Sequence, residues 1–407
     1  MTLPKLRFKE FSGDWCKLKV SEVTEYLVDG THFSPKSTEG EFKYITSKNI
    51  RNDGLDLTNI SYISRDDHES IYKRCKVKFG DILLTKDGAN TGNCCLNTLD
   101  EEFSLLSSVA VLRGEKEKFD NRFILQILQS DLGQNAILSS MAGQAISRIT
   151  LTKLKNYSFQ FPSIQEQTKI ASFLSAVDEK ISQLNQKHRL LCEYKQGMMQ
   201  KLFSQQLRFK ADDGGEFAEW GKIQLKDVAE RVTRKNKEDN QNALTISAQM
   251  GLVNQQDYFS KQIASRDLSK YYLLHKGEFA YNKSYSAGYP MGAIKRLKLY
   301  EKGVVSTLYI CFALNDQLNA EFFEHYVESG ALVSELEKIA QEGARNHGLL
   351  NISLQEFFEV SFVKPCLEEQ IKIANFLSAI DQKIEVVAQQ IEQAKTWKKG
   401  LLQQMFV

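Results

Sequence analysis

The sequence predicts a duplicated α+β chain with two similar globular domains and two long helices that form an antiparallel coiled coil. Three observations lead to this prediction. The segment 162–203 aligns without a gap onto 365–406, and 18 of the 42 aligned pairs are identical. Both copies have an apolar repeat of about 3.5 residues, which is typical of coiled coils. The stretches before each copy consist of short apolar runs broken by Gly, Asn and Asp, which is typical of strands and turns.

The two repeated segments are predicted to be helices of unusual length. Each begins just after a proline, Pro162 or Pro365, and a proline is a common start signal. Apolar positions then follow a 4-3 spacing over 170–202 and 373–405. A helix of about 40 residues is roughly 60 Å long at ~1.5 Å per residue. Because the chain has two such seams, we expect them to pair with each other. A plain core helix pair remains the alternative.

These patterns divide the chain into four parts. The parts are a first globular domain at 1–161, a first helical spacer at 162–206, a second globular domain at 207–363 and a second helical spacer at 364–407. In both globular domains the helical patterns come late, at 119–140 and 318–340. We therefore expect strands first and helices last in each domain.

Composition excludes several protein classes. The net charge is +2, so any anion-binding surface must come from local placement of charges. The seven cysteines are scattered and form no CxxC pair, which favours reduced thiols and a cytoplasmic location. The N-terminal MTLPKLRFKEF is not apolar, and no apolar run of 18 residues exists. We therefore expect neither secretion nor contact with a membrane.

Motifs for catalysis are missing from the sequence. There is no GxxxxGK[ST] loop, GxGxxG, HExxH or GxSxG, and the six histidines are dispersed. No catalytic residue and no metal site is predicted. The pairs Asp81/Lys86 and Glu278/Lys283 could form the carboxylate–lysine sites of a DNA-cleaving enzyme. We favour strands that end in loops whose lysines reach outward. A coiled-coil scaffold that binds no nucleic acid is a further alternative.

Polar and basic residues recur in glycine-rich loops of both halves. Arg and Lys hold phosphates or guanine edges, Asn reads adenine, and Ser and Thr suit either role. The candidate DNA-binding residues are Ser47, Lys86, Asn90, Thr91, Ser107 and Arg148 in the first half, and Ser247, Lys283, Tyr285, Ser306, Arg345 and Asn346 in the second. Comparison of the loops of the two halves matches Arg148 with Arg345. It also matches the hydroxyl pair 107–108 with the pair 306–307.

The end of each repeated segment has a lysine on the apolar seam and a glycine two residues later. These residues are Lys195 and Gly197 in the first copy, and Lys398 and Gly400 in the second. A lysine and a glycine on such a seam would let the backbone of a partner's helix approach. We therefore predict partner-binding sites there, with a fraying helix end as the alternative.

The pattern P-x3-EQ-x-KIA-x-FL-x3-D-x-KI, present twice, resembles the specificity subunit of type I restriction–modification systems. The segment GDILLTKDG also resembles that family. The resemblance implies that 1–161 and 207–363 are target-recognition domains, each reading half of a split, asymmetric site in double-stranded DNA. It implies that the helices set the distance between half-sites and dock two methyltransferase subunits, with restriction and translocase subunits completing the complex. No cofactor is expected on this chain, because S-adenosylmethionine, ATP and magnesium would bind the partner subunits.

One loop departs from the pattern of that family. The second half has Ser284-Tyr285-Ser286 where the first has Asp87-Gly88-Ala89. Because the recognition domains differ strongly from each other, we expect the two half-sites to differ in sequence.

Overall fold

The chain divides into two units, each built around its own four-stranded antiparallel sheet. The structure is a computed structural model that describes residues 4–141, 148–258, 267–342 and 350–406. Unit 1 comprises Met1–His188 and Val387–Val407, and unit 2 comprises Arg189–Val386. Each unit thus combines one globular part with portions of both repeated segments.

The described part of unit 1 contains eleven strands and six helices. The strands are β1 Cys16–Lys19, β2 Thr24–Asp29, β3 Phe42–Ile45, β4 Ile50–Arg51, β5 Gly54–Leu55, β6 Ser61–Ile63, β7 Ile82–Thr85, β8 Cys94–Leu96, β9 Ser104–Leu105, β10 Val109–Gly114 and β11 Ser158–Phe161. The helices are α1 Val20–Val23, α2 Arg65–Tyr72, α3 Asn121–Gln129, α4 Asp131–Met141, α5 Leu151–Lys155 and the long α6 Ile164–Phe203, which continues into unit 2.

The centre of unit 1 is a four-stranded antiparallel sheet in the order β2-β10-β7-β8. All four residues of β7 are buried, because both faces of the sheet are covered. Ile82 and Leu84 pack in the core that contains Phe123 of α3, whereas Leu83 packs on the other side with Ile45 of β3. This alternation follows from the two-residue period of a strand.

The described part of unit 2 repeats this plan. Its strands are β12 Gly221–Gln224, β13 Ala229–Arg231, β14 Leu244–Ser247, β15 Gly251–Asn254, β16 Tyr272–His275, β17 Phe279–Asn282, β18 Ala293–Arg296, β19 Lys302–Val305, β20 Ile310–Leu314, β21 Gln341–Glu342, β22 Leu350–Asn351 and β23 Ser361–Lys364. Its helices are α7 Gln255–Tyr258, α8 Ala320–Glu328, α9 Val333–Ile339, α10 Leu354–Glu359 and the long α11 Leu367–Met405, which continues into unit 1. The central sheet has the order β13-β20-β17-β18. The predicted α+β class is confirmed in both units, although late strands, β11 in unit 1 and β21 to β23 in unit 2, follow helices.

The two long helices begin where the prolines predict. Inside unit 1, α6 and α11 run antiparallel, since Asp178 pairs with Lys398 while Leu184, further along α6, lines a groove with Gln390. In unit 2 they are antiparallel too. There Lys195 pairs with Asp381, and the later Leu202 of α6 shares a core with the earlier Ile373 of α11. The predicted antiparallel helix pairing is therefore confirmed within each unit.

The repeated Glu-Gln dipeptide fastens each long helix to its globular part. Glu166 receives two hydrogen bonds from Arg7, at 2.7 Å each. Gln167 donates to the carbonyls of Pro162 and Lys118, at 2.9 and 3.2 Å. Glu369 and Gln370 repeat both arrangements in unit 2. These contacts give a physical reason for the identity of the two copies at this point.

Each predicted late helical region is two helices. The stretch 119–140 contains α3 and α4, which are separated at Ser130, whose backbone is extended (ψ 163°). The stretch 318–340 contains α8 and α9, and Gly330 between them has a φ of +81°. The apolar pattern of the sequence does not reveal the break between the two helices, because both helices of each pair bury their apolar residues in the same core.

Four cysteines, Cys75, Cys94, Cys95 and Cys311, are buried. Burial raises the pKa of Cys75, Cys95 and Cys311 to about 12, which suits packed, unreactive thiols. Over the described ranges, no helix is long and apolar enough to span a membrane.

Candidate functional site

Several loops of unit 1 meet at one end of its central sheet. The last residue of β7, Thr85, lies opposite Val109 at the start of β10, and the last residue of β2, Asp29, lies opposite Ala110. The end of β3 joins them, because Ile45 pairs with Leu105 of β9. We call this surface the unit 1 edge and define it as the segments 29–33, 46–49, 86–93 and 105–108 together with Arg148.

All six predicted residues of the first half lie on the unit 1 edge. The backbone N–H of Ser47 donates to Ser108 Oγ at 3.3 Å, and Asn90 Nδ2 donates to the Ser47 carbonyl at 3.3 Å. Ser107 N–H donates to the Thr31 carbonyl at 2.8 Å. Thr91 Oγ1 donates to the carbonyl of Gly88 in the same loop at 2.6 Å. Their convergence agrees with a shared site, and DNA binding by each of them stays a prediction.

Lys86 does not reach outward, so that part of the prediction is wrong. Its side chain is 2% exposed, and Nζ lies 3.4 Å from Asp29 Oδ2 and 3.3 Å from Asp87 Oδ2. A buried ammonium group requires such partners, since isolated burial of a charge is costly. Lys86 therefore lies below the surface of the unit 1 edge, where it holds the carboxylates of Asp29 and Asp87 in place.

Three further polar residues of this neighbourhood, Asp29, His32 and Arg74, were not predicted. Asp29 Oδ1 lies 3.4 Å from His32 Nε2 and 3.5 Å from Arg74 Nη2, but it accepts no hydrogen bond within the described residues. Arg148 Nε lies 3.2 Å from Asp87 Oδ1. The His32, Arg74 and Arg148 side chains are 46%, 62% and 50% exposed. Three partly exposed, nitrogen-bearing side chains thus lie beside the carboxylates of buried Asp29 and part-buried Asp87.

The corresponding surface of unit 2 is formed by three loops. Tyr281 of β17 lies opposite Ile310 at the start of β20. Ala243 forms a parallel bridge with Val304, so β14 runs towards the end of the sheet at which β20 begins. Thr245 Oγ1 of β14 lies 3.4 Å from Tyr309 Oη, just before β20. We call this surface the unit 2 edge and define it as the segments 247–251, 283–292 and 306–309.

The predicted residues of the second half that are described lie on the unit 2 edge. Ser247 is buried, and its Oγ accepts a hydrogen bond from the N–H of Met250 at 3.2 Å. Lys283 is half-buried and donates to the Ile352 carbonyl at 3.2 Å, so it is not fully outward either. Tyr285 is 64% exposed.

Ser306 completes this set, because its Oγ accepts a hydrogen bond from the Leu308 N–H at 3.3 Å. The other two candidates, Arg345 and Asn346, lie outside the described residues.

Backbone pairing gives the register between the halves beside these loops. The N–H of Ile149 donates to the Lys86 carbonyl, and the N–H of Leu350 donates to the Lys283 carbonyl, both at 2.8 Å. Ile149 therefore corresponds to Leu350, whereas Arg345 lies outside the described residues, so its match with Arg148 stays a prediction.

The predicted match between the hydroxyl pairs is wrong by one residue. Asp81 and Glu278 occupy equivalent positions, because each accepts a hydrogen bond from the backbone N–H three residues earlier and directly precedes β7 or β17. The residues after them, Ile82 and Phe279, lie opposite Leu112 and Phe312. By this register Ser107 corresponds to 307, and Ser108 corresponds to Leu308.

The carboxylate–lysine pairs do not form catalytic sites. Asp81 and Lys86 flank opposite ends of β7, about 16 Å apart at ~3.3 Å per residue, and their side chains face opposite ways. Asp81 accepts two hydrogen bonds from Arg113, at 2.7 and 2.8 Å. Glu278 is held likewise by Arg234. The DNA-cleaving hypothesis is therefore not supported.

The predicted partner-binding lysines are engaged within their units. Lys195 Nζ lies 2.6 Å from Asp381, and Lys398 Nζ lies 2.6 Å from Asp178. A Cβ added at Gly197 or Gly400 would meet no atom within 4 Å. The lysines thus join the two helices, while the glycines leave open space beside them. Partner binding there stays a prediction.

Comparisons with known proteins agree with this duplicated architecture. The family model "Type I restriction modification DNA specificity domain" matches residues 12–191 and again 218–396. The type I restriction enzyme MjaVIII specificity subunit of Methanocaldococcus jannaschii is 25% identical, over 97% of this chain and 94% of that protein.

Two solved structures share the fold. The S subunit of a type I restriction–modification system from M. genitalium aligns with a TM-score of 0.59 at 16% identity, covering 100% of this chain and 99% of that one. A structure concerned with complex assembly and conformational transition of the type I R-M system aligns with a TM-score of 0.52 at 15% identity, covering 96% and 97%. Since the family model matches both halves and most of the sequence, this chain belongs to the type I restriction–modification DNA specificity family.

Proposed function

We propose that this chain reads a bipartite, asymmetric DNA target for a type I restriction–modification complex. The unit 1 edge would read one half-site and the unit 2 edge the other. The observation that carries the proposal is the repeated family match, in which each copy places polar loops at the same end of the same four-stranded sheet. The two edges bear different side chains, which favours two different half-sites.

We also propose that the chain is not itself catalytic. The carboxylates at the sheet, Asp81 and Glu278, are each held by an arginine of their own unit. The chain would act as a scaffold for two methyltransferase subunits and for the restriction and translocase subunits. S-adenosylmethionine, ATP and magnesium would bind those partners.

Base-modification sequencing of a host that carries this chain tests the proposal. The expected result is one methylated motif made of two specified parts separated by unspecified bases. Arg148→Ala should relax one part only, because a base-edge contact contributes about 1–3 kcal/mol of discrimination. Arg189→Ala is a matched control, since Arg189 is an exposed arginine on α6 and is ion-paired to Glu193.

Two outcomes would count against the proposal. A contiguous motif, or no motif, would exclude a two-part target. Equal relaxation of both parts by Arg148→Ala would exclude separate reading by the two edges. If Arg148 holds a phosphate, the variant should bind all sequences more weakly and lower the salt slope by about one unit.

A further inference from the structure

The unit 2 edge differs from the unit 1 edge in chemistry. Its three segments, 247–251, 283–292 and 306–309, contain a single charged residue, Lys283. The matching segments of the unit 1 edge, 46–49, 86–93 and 105–108, contain Lys48, Lys86 and Asp87.

Three large, mostly apolar side chains are exposed on these segments of the unit 2 edge. Leu308 is 73% exposed, and Met250 and Tyr285 are each 64% exposed. Each lies on a different loop of the unit 2 edge. Single exposed apolar residues are common on protein surfaces, but three at the tips of adjoining loops indicate a contact surface.

Leu308 is the most informative of the three. It corresponds in register to Ser108, which is 8% exposed and accepts the N–H of Ser47. Leu308 also lies next to the Tyr309–Thr245 contact that joins β14 to β20, so its backbone is held at the edge. The leucine therefore projects from a fixed position into solvent, where burial by a ligand would stabilise binding.

The major groove of DNA offers one apolar group to such a side chain, the 5-methyl group of thymine. We propose that unit 2 recognises thymine methyl groups in its half-site and that Leu308 is the contacting residue. This inference rests on the proposed function. Lys283 and the hydroxyl of Ser306 would hold the neighbouring backbone or base edges.

Replacement of thymine by uracil tests this contact, because uracil lacks only the methyl group. The full chain, in the complex that it forms in its host, is titrated with duplexes of the methylated motif. Individual thymines of the unit 2 half-site are replaced by uracil. One replacement should weaken binding about fourfold, which corresponds to ~0.8 kcal/mol for one buried methyl or methylene group.

Leu308→Ala should weaken binding of the thymine duplex by a similar factor and then bind the thymine and uracil duplexes equally. Leu299→Ala is the matched control. Leu299 is 65% exposed in the same unit, but it follows β18 and lies near the start of β17, at the opposite end of the sheet. That variant should keep the full preference for thymine. Replacement of thymine by uracil in the unit 1 half-site is the matched DNA control. Its effect on binding should be the same with and without Leu308→Ala.

The outcomes separate this inference from the function on which it rests. If the unaltered complex shows no preference for the two-part motif, both fall. If it binds the motif but the unit 2 half-site contains no thymine, or uracil is tolerated, only the thymine inference falls. It also falls if Leu308→Ala retains discrimination or instead reduces the amount of co-purifying subunits, since Leu308 would then contact protein.

Discussion

Replacing Glu369 by glutamine should detach the start of α11 from the globular part of unit 2. The Glu369 side chain is 0% exposed. It accepts hydrogen bonds from Arg208 Nε at 3.2 Å, from Arg208 Nη2 at 2.9 Å and from Trp220 Nε1 at 3.2 Å. Glutamine keeps the volume but loses the charge, and its amide group turns N–H donors towards other donors.

The expected loss is large for a single substitution. Removing one partner of a buried ion pair costs about 3–5 kcal/mol, because the other charge remains unpaired. Arg208 is 17% exposed and keeps hydrogen bonds to the carbonyls of Phe217 and Ala218, so it is partly compensated. We therefore expect a loss near the lower end, ~3 kcal/mol in the free energy of unfolding.

Denaturant titration of the full chain, followed by circular dichroism, measures this loss. Glu219→Gln is the matched control, since Glu219 lies 3.4 Å from the same arginine but is 91% exposed. A surface pair of this kind contributes at most about 1 kcal/mol. If the two variants unfolded within ~0.5 kcal/mol of each other, burial of the ion pair would not explain the repeated glutamate.

Three other predictions test separate parts of the structure. Burial, and then the charge of Lys195, lowers the pKa of His325 from 6.5 to about 4, so stability is full above pH 6.5 and falls as the pH drops towards 4. Because of His325, the free energy of unfolding from denaturant titration should be ~2 kcal/mol lower at pH 5 than at pH 7.5, and His325→Gln should remove that difference. Lys86→Met should lower stability by ~3 kcal/mol, the lower end of the cost of breaking a buried pair, because buried Asp29 keeps only its contacts with His32 and Arg74; Lys283→Met should cost at most about 1 kcal/mol, and equal melting temperatures would contradict this. Gly197→Leu should leave the melting temperature unchanged or raised, since open space surrounds it, and should reduce the methyltransferase subunit recovered in a pull-down; unchanged recovery would remove it from the partner surface.

Strong local patterns made the helices and the sheet predictable. A 3.5-residue repeat after a proline predicts a long helix without knowledge of its partner, and α6 and α11 begin two residues after Pro162 and Pro365. The candidate residues of the first half lie together on the unit 1 edge, while their role in DNA binding stays a prediction. These residues follow strand ends, and strand ends that pair in one sheet meet in space.

The orientation of Lys86 could not be predicted from its neighbours. A lysine after a strand is usually solvated, and its burial here depends on Asp29, which is distant in sequence and has no local pattern that marks it. The match of Arg148 with Arg345 compared residue types in glycine-bounded loops, and it stays a prediction because Arg345 lies outside the described residues. Only backbone hydrogen bonds, such as those of Ile149 and Leu350, give the register of the residues beside such loops.

One repeated contact accounts for an aspartate and a lysine that the two long helices share, while the globular residue beside them differs. Asp178 pairs with Lys398 in unit 1, and its other oxygen accepts from Gln126 of α3 at 3.0 Å. Asp381 pairs with Lys195 in unit 2, and the residue at the Gln126 position is His325, 4.0 Å from Asp381.

The aspartate and lysine are identical in both copies because each must fit the other long helix. The residue of the globular part, Gln126 or His325, needs only to place a nitrogen atom near the aspartate. Either an amide or an imidazole can therefore occupy this position. At this contact the two helices constrain each other, whereas the globular part supplies only one polar group to it. The far edges of the globular parts, which bear Arg148 in one unit and Leu308 in the other, are free to differ.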